Sequence, residues 1–325
     1  MARAMIKPVF IFSLPRSGST LLQRVLMSHS RISSTAEPWL LLPLVGMLKE
    51  QGTLSIYSHR TSQAALTDLT GHLRGGRAQY DHLLREFVCS LYDSASREGS
   101  VYFLDKTPRY YQIIPEIAAL FPEAKFIFLF RNPLHVYASI VTTWGHGTLR
   151  RLFYNTMDLE EGPDLLAQGY AQLKDCACAL NYEDFVLQPE QELRRVLRYL
   201  GLDEEEGMLS RFAGQRPGGR FGDPTGAQEY STVATASLDK WQSVFNNRFR
   251  QRLVKNYILR MPESTLALQG YDKQDILKNI NEIEVLNTTP VRDYIHYYRS
   301  LALLWLKAHL FLTKAMRWTD GKYLE

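Results

Sequence analysis

Between Phe10 and Leu26 the chain reads FIFSLPRSGSTLLQRVL. The centre of this run offers a guanidinium at Arg16, hydroxyls at Ser17, Ser19 and Thr20, and a glycine at Gly18, with no carboxylate in it. Such a set is built to hold an anion. The guanidinium is a planar cation, the hydroxyls donate, and the glycine lets backbone N–H groups come close. The apolar residues before the turn read as a buried strand. Leu21, Leu22, Val25 and Leu26 after it form one face of a helix expected from Gly18 to Ser30. In open α/β sheets, phosphates sit where a strand's carboxyl end meets a helix N-terminus.

The loop lacks the form used by nucleoside triphosphatases. That form ends in Gly-Lys-Ser/Thr, whose hydroxyl holds Mg²⁺; here there is one glycine and no lysine. Asp105 comes closest to a strand-end, metal-holding carboxylate, and Lys106 beside it opposes a cation. A metal-free anionic donor is therefore expected, with no metal ligands.

The rest of the pattern supplies a frame for the loop. RISSTAEPW reads as a short second strand ending near Glu37, VYFLDKTP as another, and KFIFLF as the most strand-like run of all. Helices are expected near Tyr110 to Leu120, along RNPLHVYASIV, from Asp164 to about Leu180, along EQELRRVLRYLGL, and through most of the chain after Ser237. Strands alternating with helices indicate an α/β fold, a P-loop-like parallel sheet flanked by helices. Residues 40–100 form a helical insert, the expected acceptor side. The expected domain covers 1–290, followed by a helical C-terminal extension, 291–325.

PRSGSTLL after a strand resembles the 5′-phosphosulfate loop of sulfotransferases that use 3′-phosphoadenosine-5′-phosphosulfate (PAPS). The resemblance continues in order along the chain. FIFLFRNPLHVYASIV is similar to the family's second signature, which implies that Arg131 and Ser139 bind the donor's 3′-phosphate. NYEDFVLQPEQELRRVLRYLGL resembles the segment with a tyrosine near the adenine, which nominates Tyr182. GGRFGDP is similar to the loop that closes on the 3′-phosphate, implying Gly219 and Arg220; the Arg-Lys that precedes this glycine in the family is here Pro217-Gly218, leaving Arg216 or Arg220 as substitutes. SLDKW resembles the C-terminal Lys-Trp of the tyrosylprotein branch and nominates Lys240. The family resemblance implies PAPS as cosubstrate, bound by Arg16, Ser17, Gly18, Ser19, Thr20 and Leu21 at its 5′ end.

Sulfuryl transfer needs a deprotonated acceptor, an in-line approach, and positive charge on the sulfonate and the departing oxygen. Glu37, at the expected end of the strand after the first helix, returns beside the loop and suits a general base. The resemblance agrees, because tyrosylprotein and heparan-type sulfotransferases use a Glu at about this distance. The phenol and steroid branch uses a His in Lys-Thr-His, where this chain has Pro108 in DKTP. Lys106 matches the lysine that contacts the sulfonate, and Arg16 stabilises charge on the leaving phosphate. An ATP-dependent small-molecule or nucleotide kinase on a related loop fold is the alternative.

The net charge of +4, from 38 basic against 34 acidic residues, is too balanced for a nucleic-acid footprint, so the anion site is local. Cys89, Cys176 and Cys178 form neither a disulfide framework nor a zinc set, and Cys176-Ala-Cys178 falls in the expected helix. This sparse usage suits a reducing cytoplasm. The first residues read as a strand, not as a signal peptide, since Pro15 interrupts the apolar run. The acceptor is expected to bear a hydroxyl or amine: a carbohydrate, a glycolipid or a small natural product. Trp39, Tyr110, Tyr111, Trp144 and His146 are candidates for lining its pocket, with core packing the competing role. The Leu- and aromatic-rich C-terminal helix is expected to pack, to form a homodimer contact, or to touch a membrane peripherally.

Overall fold

The protein is described by a computed structural model covering residues 6–49, 59–218, 233, 235–285 and 290–307. The chain divides into two compact units, one of residues 1–130 with 165–234, the other of residues 131–164 with 235–325.

The first unit is built on a five-stranded sheet of order β2-β3-β1-β4-β5. Its strands are β1 (Lys7–Ser13), β2 (Ile32–Ser34), β3 (Tyr102–Asp105), β4 (Lys125–Phe130) and β5 (Ala177–Asn181), and every pairing is parallel. Phe10 and Phe12 on β1 pair in register with Phe126 and Phe128 on β4, and all four rings are buried. Strands covered on both faces can be apolar at every position, which is why PVFIF and FIFLF show no alternation. The helices of this unit are α1 (Ser19–Met27), α2 (Leu41–Gly46), α3 (His59–His72), α4 (Gly76–Ser94), α5 (Ile114–Leu120), then, after α6 of the second unit, α7 (Gly162–Leu173, which starts in the second unit), α8 (Tyr182–Leu187), α9 (Pro189–Leu200) and α10 (Met208–Arg211). α9 has Pro189 at its first turn and ends at Gly201 with φ 69°, the asymmetry expected of a helix stopped by a left-handed residue.

The second unit is helical among its described residues. It comprises α6 (Pro133–Thr143), α11 (Lys240–Val244), α12 (Arg248–Arg260), α13 (Glu263–Leu268), α14 (Lys273–Asn281) and α15 (Val291–Trp305), with a π-helical turn at Met157–Glu161. Leu134, Tyr137, Val141, Trp241, Phe245, Tyr257 and Leu266 are part of its core.

Four sequence expectations are corrected. The helix expected from Asp164 to Leu180 stops at Leu173, and Ala177–Asn181 instead forms β5 on the β4 edge. Cys178 is therefore a buried strand residue and Cys176 an exposed one just before the strand. Ala, Cys and Leu suit either element, and pairing with β4 decides between them. The stretch from Tyr110 to Leu120 is a 3-10 turn, Pro108–Gln112, followed by α5. β2 ends at Ser34, so Glu37 lies in irregular chain beyond it, and β3 stands between β2 and β1.

Candidate active site

The loop after β1 is closed by Ser17 N–H donating to Leu14 O at 3.3 Å. Arg16 and Gly18 take φ of 68° and 87°, the left-handed region. A Cβ at Gly18 would stand 2.3 Å from Cδ2 and Cε2 of Tyr182, so a side chain there meets both an unfavourable φ and a buried ring. This places Tyr182, at the start of α8, directly against the loop. Ser17, Ser19 and Thr20 are buried and Arg16 is half-buried. Leu21 is fully buried and gives its N–H to Gly18 O at 3.0 Å.

Glu37 is brought to this loop by a chain of polar contacts. Gln23 on α1 donates to Ser34 Oγ at 2.7 Å and Thr35 O at 2.8 Å, and Ser34 Oγ donates to Leu104 O at 2.6 Å. These bonds tie the end of β2 to α1 and β3. Lys106, just past β3, then donates from Nζ to Glu37 Oε1 at 2.6 Å and to Thr20 Oγ1 at 3.3 Å. Trp39 Nε1 donates to Glu37 Oε2 at 3.2 Å. The Lys106 side chain is 1% exposed and that of Glu37 12%. Each carboxylate oxygen accepts at two positions, so Glu37 retains acceptor capacity beside a cation and a hydroxyl of the loop.

Asp105 stabilises the same segment from beneath. Its carboxylate accepts from Tyr92 Oη at 2.6 Å, Tyr110 Oη at 3.0 Å and Thr107 Oγ1 at 3.0 Å. Tyr110 Oη accepts the Leu41 N–H at 3.2 Å, and Thr107 Oγ1 accepts the Trp39 N–H at 3.4 Å. Complete burial pushes the Asp105 carboxyl up to about 6, against the pull of its three hydroxyl partners and of Lys106. Burial, then the neighbouring carboxylate, pushes the Tyr92 and Tyr110 hydroxyls up as well. Tyr110 and Tyr111 are buried packing residues. The backbone at Trp39 and Leu41 thus hangs, through Thr107 and Tyr110, from one buried carboxylate.

A further tether was not legible in the sequence. Arg24, 2% exposed on α1, donates from Nε to Gln215 O and from Nη2 to Ala213 O, both at 2.8 Å, with its guanidinium 5.5 Å from the centre of the Phe212 ring. Ala36 N–H donates to Gly218 O at 2.9 Å. The segment leading to the Gly-rich loop is therefore fastened to α1 and to the residue before Glu37. Gly219 and Arg220 lie outside the described residues. In the sequence Arg24 follows Gln23 and Asp105 precedes Lys106 and Thr107, and nothing in either neighbourhood marks a tether.

Arg131, Ser139 and Lys240 belong to the second unit. Asn132 caps α6 by accepting the Leu134 N–H at 3.0 Å, with Pro133 at the first turn. Arg131 is buried and donates from Nη2 to Ser237 O at 3.3 Å, which sets it beside the turn leading into α11. Lys240 opens α11 and is exposed; Ser139 is half-buried on α6. Trp144 packs partly buried on the second unit's core, while His146 is exposed with φ 48°. Among the described residues no group of His, Cys, Asp and Glu is arranged to hold a metal ion.

Comparison with known proteins gives this geometry a context. The family model described as the sulfotransferase family matches residues 8–206. The chain is 30% identical over 216 residues to nodulation protein NoeE of Sinorhizobium fredii (strain NBRC 101917 / NGR234), covering 60% of this chain and 50% of that protein. It is 24% identical over 211 residues to protein-tyrosine sulfotransferase 1 of Danio rerio, covering 62% of this chain and 55% of that protein. The chain thus spans about half the length of the curated relatives it matches. Among solved structures, the sulfotransferase domain from the curacin biosynthetic pathway aligns with a TM-score of 0.54 at 23% identity, over 80% of this chain and 100% of that domain. The sulfotransferase domain of the Synechococcus PCC 7002 olefin synthase aligns with a TM-score of 0.51 at 24% identity, over 84% and 98%. These two likenesses concern the fold.

Proposed function

The chain belongs to the sulfotransferase family, and from that membership we propose that it transfers the sulfuryl group of PAPS to a hydroxyl or amine of an acceptor, with Glu37 as general base. One observation carries the reading: Lys106 Nζ joins Glu37, at 2.6 Å, to Thr20 of the anion loop, at 3.3 Å. A base, a cation and a phosphate-type loop therefore meet within the first unit.

The residues present suit a phosphosulfate. The loop's donors are a guanidinium, hydroxyls and backbone N–H groups, none of them opposed by a loop carboxylate, and the turn at Gly18 has no space for a side chain. Bound there, PAPS would supply an activated sulfuryl group on an anionic leaving group. Arg16, Ser17, Ser19 and Thr20 would hold the 5′ end, and Tyr182 would stand at the adenine. Arg131 and Ser139 are assigned to the 3′-phosphate, and Lys240 to the donor, by their match to the family's motifs.

Glu37 takes the acceptor's proton on a carboxylate oxygen, and Trp39 Nε1 keeps that carboxylate oriented. Lys106 offsets the negative charge that grows on the transferring oxygens, at a site 1% exposed where water screens it little. A carboxylate base suits unactivated hydroxyls, such as those of carbohydrates, glycolipids or natural-product alcohols. Two relatives are named for protein tyrosine, which carries a phenolic hydroxyl.

Calorimetry with adenosine 3′,5′-bisphosphate, set against ATP with Mg²⁺, tests the donor assignment. Radiolabelled PAPS incubated with acceptor pools then tests transfer. Tight binding of the bisphosphate and label in an acceptor are expected. Binding of ATP with Mg²⁺ and none of the bisphosphate would instead assign the loop to a kinase.

A further inference from the structure

Among the described residues, α15 is anchored through Asp293 and Ser300, with Tyr294 and Tyr297 packing their rings against Phe249. Asp293 is buried and accepts from Arg250 Nε at 2.7 Å, Arg250 Nη2 at 2.8 Å and Asn247 Nδ2 at 2.9 Å. Ser300, one face and two turns on, donates to Leu149 O at 3.1 Å and Arg150 O at 3.2 Å. At 3.6 residues per turn, the direction opposite these two anchors is occupied by Val291, Ile295, Tyr298, Ala302, Trp305 and, just past the helix, Leu306, with Leu301 and Tyr294, whose ring lies 4.1 Å from that of Phe249, at the border. All eight are exposed, Ile295 at 61% and Trp305 at 83%, and none is charged or carries an amide side chain. Folded proteins seldom leave so continuous an apolar face to water unless something covers it.

Charge and residue type say what covers it. Arg292 and Arg299 lie one turn-pair apart along one flank of this face, both exposed, and Lys307 follows the helix end. Asp293 is the one acid from 291 to 307, and Arg250 neutralises it. His296, nearby on α15, is held below its ordinary pKa by desolvation and then by the charges of Arg292, Arg150 and Arg299, with Asp293 acting in the opposite sense. The flank is thus a patch of fixed positive charge. A second copy of the same face would bring like charges together, whereas an anionic lipid surface complements them. Tyr298 and Trp305 have apolar bodies and polar tips, the side chains suited to the headgroup boundary. No described helix is long and apolar enough to cross a membrane, so α15 would lie on the surface.

We propose that the outer face of α15 docks on an anionic lipid surface, with Ile295, Tyr298, Leu301 and Trp305 entering the headgroup region and Arg292 and Arg299 facing lipid phosphates. This inference does not depend on the proposed activity.

Vesicle co-sedimentation of the full chain tests it. The lipids are phosphatidylcholine alone and phosphatidylcholine doped with phosphatidylglycerol. Two double variants are compared with the parent, Tyr298→Ser with Trp305→Ser and Arg292→Glu with Arg299→Glu; all four positions are exposed, and unchanged circular dichroism verifies folding. The parent is expected to bind the anionic vesicles at least about tenfold better than the neutral ones, and each double variant to lose about tenfold or more of that binding. Equal binding of parent and variants, or no binding by the parent, overturns the proposal. So does a parent that is dimeric by light scattering, that becomes monomeric in the Tyr298→Ser, Trp305→Ser variant and that ignores vesicles, since the face is then a contact between copies of the chain.

Discussion

Lys106 Nζ and Glu37 Oε1 stand 2.6 Å apart, although 69 positions separate the two residues in the chain. The lysine is almost wholly enclosed and the carboxylate keeps a little exposure, so the pair presents its acidic side to solvent. A carboxylate held in this way is fixed in position, which is what proximity catalysis requires of the proposed base.

Glu37→Gln tests the base directly. The amide oxygen can still accept from Lys106, so the pair's geometry survives while its basicity is lost. Turnover is expected to fall by about 100-fold or more. Affinity for adenosine 3′,5′-bisphosphate, by calorimetry, should stay within about threefold, less than the tenfold that 1.4 kcal/mol represents. Full turnover by the variant in a radiolabelled-sulfate assay would remove Glu37 from the mechanism.

The contact between Gly18 and Tyr182 predicts a non-additive pair. Gly18→Ala forces a Cβ to within 2.3 Å of two ring carbons at a residue with φ 87°. Overpacking and backbone strain together should cost about 2–4 kcal/mol in urea unfolding. Adding Tyr182→Ala removes the ring, so the double variant should be more stable than the sum of the single changes implies. Strict additivity would mean that the ring does not confine the loop.

Asp105 predicts a pH dependence of stability. The folded protein keeps the Asp105 proton up to about 6, whereas the ordinary value is 3.8. Between these values the native state binds more protons than the unfolded chain, so this group's contribution to stability falls as pH rises through the window and levels off above it. The change amounts to about 3 kcal/mol. Asp105→Asn keeps the side-chain shape and abolishes the titration. Denaturant midpoints measured across that window should therefore fall with pH in the parent relative to the variant, and parallel curves would contradict the assignment.

Arg24→Leu removes the two charge-assisted bonds to Gln215 O and Ala213 O and leaves both carbonyls without that donor. A loss of about 2–4 kcal/mol is expected in urea unfolding. Hydrogen exchange should rise at residues 213–218 while β1 and β4 stay protected. A variant as stable as the parent would show that the tether contributes nothing.

Much of this protein can be read locally. The runs PVFIF and FIFLF read as buried parallel strands because they are short, bounded by turns and rich in Phe, Val and Ile, which fit a sheet covered on both faces. β5 was concealed for the opposite reason, as Ala-Cys-Ala-Leu carries no preference strong enough to oppose the helix before it. Glu37 could be named from its distance past the loop, but its attachment could not. From the sequence Asp105 reads as a strand-end acid beside Lys106; the three hydroxyls that enclose it come from Tyr92, Thr107 and Tyr110 and are brought there by the fold.

By itself the sequence determined the alternation of strands and helices around β1 and β4 and the glycine-bearing turn, Arg16 to Thr20, between β1 and α1. Only the tertiary structure decided that Lys106 bridges Thr20 to Glu37, that Tyr182 closes on Gly18, and that α15 turns an apolar face outward. The physical reason is range. Periodicity and turn chemistry record which side of an element is buried, within a few residues, whereas these contacts depend on strand order and on which helix face finds a partner, and those are settled by packing among segments far apart in the chain.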